Sequence, residues 1–259
     1  MSKRRYQAVE SLDDGLDYAV DDYSVENETN DPEASGTGPK ANKRKKKDRN
    51  PSKFGNPAIA LADTPAQVAF FNQKLKLAFK GITELELATC TFTDDCILNS
   101  SSFDKPRTTS NIGAWLKEFS KVDLERKFKT NPKGSPRILI ITCENNRAKE
   151  LIKHVQKATS VRQVASLHAR KVKVAEQAAF LKKGQVDFAI GTPTRMLKLT
   201  ENKGALKMDR VELVIIDCFR DAKDRMVVDM PGCFEDLFTL FRECFFPNIM
   251  KNTLQVALY

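Results

Sequence analysis

The chain has 259 residues and a formal charge of +9, room for one substantial domain of ~100–200 residues plus tails. Residues 1–39 hold three basic and ten acidic residues (net −7), residues 40–49 hold seven basic residues and Asp48 (net +6), and residues 50–259 keep +10; a body that is itself basic favours a polyanionic partner through phosphate neutralisation and counterion release. The six cysteines lack C-x-x-C spacing, "MSKRRYQAVE" has no apolar signal segment, and no apolar run approaches the ~20 residues that span a bilayer. These features argue against a zinc site, a secreted disulfide scaffold and a helical membrane protein, and predict a soluble intracellular protein with free thiols.

Residues 1–52 lack the apolar density that offsets ordering entropy, and a disordered tail, acidic and then basic, is expected there. Tyr6, Leu12, Leu16, Tyr18, Val20 and Tyr23 leave room for a short segment that folds on a partner. The cluster Lys43, Arg44, Lys45, Lys46 and Lys47 fits nuclear import and RNA contact. Residues 53–259 form the expected domain. Thr64 before Pro65 predicts a capped helix start, with Val68, Phe71, Leu75 and Ala78 on one face and Gly81 at its end. Its aromatics are expected in the core. Residues 82–109 carry no readable pattern, and Ser110 is expected to cap a short helix reaching Phe119.

From Arg137 onward, strands and helices alternate. "RILIITC", "VRQVASLHA", "VDFAIGT", "VELVIID" and "TLQVALY" read as strands. "NRAKELIKHVQKA", "VAEQAAFLKKG", "TRMLKLTEN" and "FEDLFTLFREC" read as helices, the first burying Ala148, Leu151, Ile152 and Val155. This alternation predicts an α/β fold, doubly wound, with a mostly parallel sheet whose strand carboxyl ends share one edge.

Familiar catalytic patterns are missing. None of the eleven glycines is followed by Lys, so no G-x-x-x-x-G-K-[ST] phosphate loop can be drawn. There is no nucleophile elbow, no H-E-x-x-H and no G-x-G-x-x-G, and His154 and His168 fall within regular elements. No metal site, cofactor or nucleotide is expected. Asp217 ends a strand, where a motor would hold a metal ion, but Cys218 follows in place of a second acid. Asp217 is expected to accept hydrogen bonds from backbone or from a basic residue such as Arg220, and Cys143 and Cys218 to be buried thiols.

The most specific stretch is "VDFAIGTPTRMLKL". A strand ends at Gly191 and Thr192-Pro193-Thr194-Arg195 opens a helix. Free N–H groups there, with the Thr192 hydroxyl and the Arg195 guanidinium, suit a backbone phosphate. The stretch resembles the strand-G-T-P-G-R-helix of the first RecA-like domain of DEAD-box RNA helicases, with Thr194 where that family has Gly. "ILIITCENNRAKELIKHV" is similar to the helicase strand and helix that follow the P-loop helix, keeping a basic residue, Arg147, near the helix start. "VIIDCFRD" falls where D-E-A-D would, and the last strand lies where S-A-T would. The resemblance implies a single RecA-like domain without its P-loop.

With the acidic-then-basic tail, "VKVAEQ" and "GTPTR", the chain resembles the Cms family of helicase-like proteins of the small-subunit pre-ribosome. The resemblance implies a non-enzymatic nucleolar assembly factor in the particle containing the U3 small nucleolar RNA. Its expected partners are pre-ribosomal RNA or small nucleolar RNA and small-subunit assembly factors, with Arg195, Thr192 and Arg147 toward phosphate. The alternatives are an ATP-dependent RNA helicase completed by a partner, and a nuclear scaffold in DNA replication or chromatin.

Overall fold

The computed structural model describes residues 58–122, 132–159, 164–169, 172–202 and 204–259. The expected tail and the Lys43–Lys47 cluster lie outside them. Five strands form one sheet: β1 (Ile138–Ile141), β2 (Val164–Leu167), β3 (Phe188–Gly191), β4 (Leu213–Ile216) and β5 (Gln255–Leu258). All pairs are parallel, in the order β2-β3-β1-β4-β5. Ile97 adds a parallel bridge beside Val256, extending the sheet past β5.

The continuous apolar runs that mark β1, β3 and β4 are explained by burial on both faces. Leu139, Ile141, Ala189, Val214 and Ile216 point into one core, and Ile138, Ile140, Phe188, Ile190, Leu213 and Ile215 into the other. The second core is closed by α4 (Ile112–Phe119) and α5 (Asn145–Thr159), through Trp115, Leu116, Ala148, Leu151 and Val155. Gly113 permits this: a Cβ there would stand 2.1 Å from the Cβ of Ala158.

The first core takes more helices. α1 (Ala58–Leu61), α2 (Thr64–Ala78) and α3 (Glu84–Thr89) precede the sheet, and α6 (Val174–Lys183), α7 (Pro193–Glu201), α8 (Cys233–Leu240) and α9 (Phe246–Ile249) follow between or after its strands. Phe71 of α2 stacks on Phe92 at 4.9 Å, and Phe92 meets Phe241 and Phe246 edge-on at 5.0 Å each. Phe71 of α2 and Phe238 of α8 are thus core, while Phe70 and Phe234 pack against it half-buried.

Local corrections follow from capping chemistry. Asp63, not Thr64, caps α2, accepting from the Ala66 N–H; a carboxylate also complements the positive end of the helix. Ser110 lies within a 3₁₀ turn (Thr109–Asn111), and Asn111 stands at the cap of α4. The predicted helix at 234–244 runs further: α8 passes through a π turn (Phe241–Phe245) into α9. Pro247 has no N–H to donate back, and the π turn relaxes the ladder just before it.

Candidate functional site

In an open parallel sheet, ligands bind where the strand order reverses, outside the carboxyl ends. Here the chain leaves β1 toward β2 and β3, then returns to place β4 on the other side of β1. The crevice therefore opens between β1 and β4, and the first residues beyond them are Thr142 and Asp217. Both are fully buried. The Thr142 hydroxyl donates to Asp217 Oδ2 at 2.8 Å.

The crevice holds a cation of the chain's own. From the first turn of α5, Arg147 donates through Nε to Asp217 Oδ2 and through Nη2 to Oδ1, each at 2.9 Å. The Phe219 N–H donates to Oδ1 at 3.3 Å, and the Phe219 ring lies 4.9 Å from the guanidinium carbon. Burial works against the Arg147 charge, but the Asp217 carboxylate outweighs it and holds the guanidinium protonated above the usual arginine range. Asp217 thus has the structural role expected of it, with a different partner: Arg220 instead reaches the carboxylate and carbonyl of Asp224. Arg220 is only three residues from Asp217 in the chain, whereas the bidentate partner comes from 70 residues earlier.

A second arginine fills the neighbouring space. The connection from Leu98 leads into α4, the helix that comes before β1 in chain order, the place where the helicase resemblance puts a P-loop. Residues 99–107 read N-S-S-S-F-D-K-P-R and contain no glycine. Arg107 is 3% exposed. Its Nη2 donates to the carbonyls of Ser100 (2.6 Å) and Ala60 (3.1 Å), and its Nη1 to the Leu258 carbonyl (3.1 Å) and Ser100 Oγ (3.2 Å). Burial lowers the Arg107 pKa below its usual range. One guanidinium thereby ties α1, the connection and the end of β5. Tyr259 adds a bond from its hydroxyl to the Thr108 carbonyl at 2.6 Å. Nothing in residues 82–109 announced this; a lone Arg after Pro is visible in the sequence, but its four carbonyl and hydroxyl partners are not.

The Thr192–Arg195 loop is placed as expected. Gly191 ends β3 because a Cβ there would fall 1.8 Å from the Leu167 carbonyl. Thr192 is the half-buried cap residue of α7, its side chain making no capping bond. Arg195 is buried, and its charge acts on His168, whose pKa is lowered by burial first and then by Lys149 and Arg195. Thr194, where helicases have Gly, stands half-buried in the first turn of α7. So of the three residues expected toward phosphate, Arg147 is committed to Asp217, Arg195 lies beneath the surface, and Thr192 stands at the opening.

The six cysteines are free thiols, and burial raises Cys143 and Cys218 to about 12, well away from reactive thiolates. Among the described residues no three His, Cys, Asp or Glu side chains gather into a metal site, and no helix is long and apolar enough to cross a membrane.

These features define an α/β domain with a parallel sheet and a ligand crevice occupied by its own arginines. The model of the CMS1 family, described as U3-containing 90S pre-ribosomal complex subunit, matches residues 23–259, and the chain belongs to that family. Protein CMS1 of Chaetomium thermophilum is 33% identical over 179 residues, covering 68% of this chain and 70% of that protein. Protein CMSS1 of Danio rerio is 28% identical and that of Homo sapiens 26%, each match covering 68% of this chain; it spans 58% and 61% of those proteins. Among solved structures, S. cerevisiae Dbp5 is similar, in one case bound to Nup159, Gle1, IP6 and ADP (TM-score 0.37, 72% of this chain, 45% of that one). In another it is bound to RNA and ADP BeF3 (TM-score 0.34, 78% and 45%), and both are 15% identical.

Proposed function

We propose that the chain is a non-enzymatic ribosome biogenesis factor of the U3-containing 90S pre-ribosomal complex, docking on pre-ribosomal RNA and small-subunit assembly factors through a RecA-like body that has lost nucleotide chemistry. The observation that carries this reading is the Arg147–Asp217 pair at the switch point. A motor needs that carboxylate free to hold a metal ion and a glycine-rich turn to cradle phosphates. Here the acid is neutralised by a bidentate guanidinium, and the connection before α4 is bound up by Arg107. Nuclear and nucleolar residence goes with the role, and the Lys43–Lys47 cluster supplies the import signal.

Family membership supports the pre-ribosomal assignment, and the +10 charge of residues 50–259 supports RNA as one partner. The α7 start meets a phosphate through Thr192, with Arg195 lending charge from beneath. Two measurements test the reading. Titration of the purified full chain with ATP and magnesium is expected to give no binding heat; one-to-one binding would return the helicase alternative. Sequencing of nucleic acid crosslinked to the chain in cells is expected to recover pre-ribosomal or small nucleolar RNA. Recovery of DNA, or of no nucleic acid, would favour the replication or chromatin scaffold instead.

A further inference from the structure

The sheet's opposite edge, at the amino ends of its strands, carries a feature that the switch-point site does not use. Three segments are laced together there around Gly134. Its N–H donates to the Gly184 carbonyl at 3.0 Å, and its own carbonyl accepts from the Lys207 N–H at 2.8 Å. Lys133, beside it, forms an antiparallel bridge with Gln185. Gly134 has φ +65°, and a Cβ there would stand 2.3 Å from the Ala205 carbonyl oxygen, so the crossing needs glycine.

The lacing gathers charge. Lys133, Lys182, Lys183 and Lys207 all lie within two residues of these bonds, and all four are exposed. None of their ammonium groups takes part in an ion pair among the described residues. The carboxylates nearby are engaged: Asp209 accepts from Ser135 Oγ at 3.2 Å, and Glu212 faces Arg137 at 4.0 Å. Beside the lysines stands an aromatic ring. Phe180 of α6 is 53% exposed. It lies over Gly184, where a Cβ would meet its Cζ at 3.7 Å. Phe71 of α2 and Phe238 of α8, by contrast, are fully buried in the core.

We propose that this amino edge, Phe180 with Lys133, Lys182, Lys183 and Lys207, is a docking surface for single-stranded or looped RNA, separate from the Thr192 loop. The ammonium groups act as flexible point charges on successive phosphates, and the ring stacks under an unpaired base in a sequence-tolerant way. An acidic peptide would answer the lysines, but only a nucleic-acid strand supplies a phosphate and a flat base at every step. The inference rests on the RNA-docking reading above and assigns it a second place.

The test is fluorescence anisotropy of the full chain with a labelled, unstructured oligouridylate, as a function of salt, with crosslinked peptides mapped by mass spectrometry. K182E/K183E/K207E is expected to weaken binding about tenfold or more and to reduce the salt slope by about 2, the share of three phosphates. F180A is expected to weaken it about fivefold or more, the loss of one stacked base, with the salt slope unchanged. Crosslinks at Phe180 complete the expected result. Unchanged binding by both variants, with wild-type binding intact, overturns this edge while leaving RNA docking in place elsewhere. No binding by the wild-type chain overturns both. Unchanged RNA binding with loss of the charge-reversed chain from pre-ribosomal particles would assign the lysines to an acidic protein partner and overturn the RNA proposal.

Discussion

The two edges of the sheet treat positive charge in opposite ways. At the carboxyl edge, Arg107 is buried and Arg147 half-buried, and their guanidinium groups donate to Asp217, to backbone carbonyls and to Ser100 Oγ. At the amino edge, four lysines around Gly134 stay in water without ion pairs among the described residues. The contrast shows how an α/β domain can retire the crevice its topology creates: the chain fills it with guanidinium groups, whose fixed forks match a carboxylate or several carbonyls at once. Point-charge lysines are left for solvent or a mobile polyanion.

The largest expected effect breaks the carboxyl edge. R147M leaves the Asp217 carboxylate buried without its cation, which costs about 3–5 kcal/mol; urea unfolding should show the midpoint falling accordingly. Adding D217L to R147M removes the stranded charge and should recover most of that loss. A double variant no more stable than R147M would show that Asp217 is held chiefly by Thr142 and the Phe219 N–H.

Next comes the amino edge. G134A puts a side chain at φ +65° against the Ala205 carbonyl, and the segments must part; a stability loss of about 2 kcal/mol is expected for this combination of strain and overpacking. If the lysines need the lacing, oligouridylate affinity falls with it, and restoring stability with an osmolyte will not restore affinity fully.

T192D separates structure from contact at the α7 start. Asp is a good cap and suits the positive end of the helix, so melting is expected to hold or rise slightly, by up to about 1 kcal/mol. A negative charge at that point repels phosphate, so RNA crosslinking at the loop should fall several-fold. Undiminished crosslinking would mark Thr192–Arg195 as a helix start and nothing more.

The smallest effect is on pH dependence. The folded state lowers the His168 pKa below its unfolded value, through burial and then Lys149 and Arg195. Below the ordinary histidine pKa of ~6.5 the unfolded chain binds the extra proton more readily. Its contribution is therefore complete above that pH and lost as pH falls through the depressed folded value. Stability measured from pH 7 toward 5 should decline, and H168Q should flatten that segment. Glu86 and Asp221, whose pKa values are also lowered, act in the more acidic carboxylate range.

Much of the fold was legible in the chain itself. Runs such as Ile138–Ile141 and Val214–Ile216 marked doubly covered strands, because a parallel sheet needs apolar side chains at every position rather than at alternate ones. The spacing of Ala148, Leu151 and Val155 marked a helix face, and Gly191-Thr-Pro located a strand-to-helix turn. These signals are local: backbone geometry repeats every two or 3.6 residues, and the burial pattern repeats with it. The missing phosphate loop was likewise a matter of reading adjacent residues.

The occupants of the crevice belong to another kind of information. Asp217 meets Arg147 across 70 residues, and Arg107 meets Leu258 across 151. No periodicity links such positions; only the return of β4 beside β1, and of β5 beside the connection from Leu98, brings them within hydrogen-bond reach. The same holds at the amino edge, where Lys133, Lys183 and Lys207 are scattered in the chain and adjacent only because Gly134 lets three segments cross. The chain alone determined an α/β domain with a basic body and no phosphate loop. Tertiary structure decided which cations are locked inside and which are left to meet a partner, since that choice depends on what stands opposite each charge once it is removed from water.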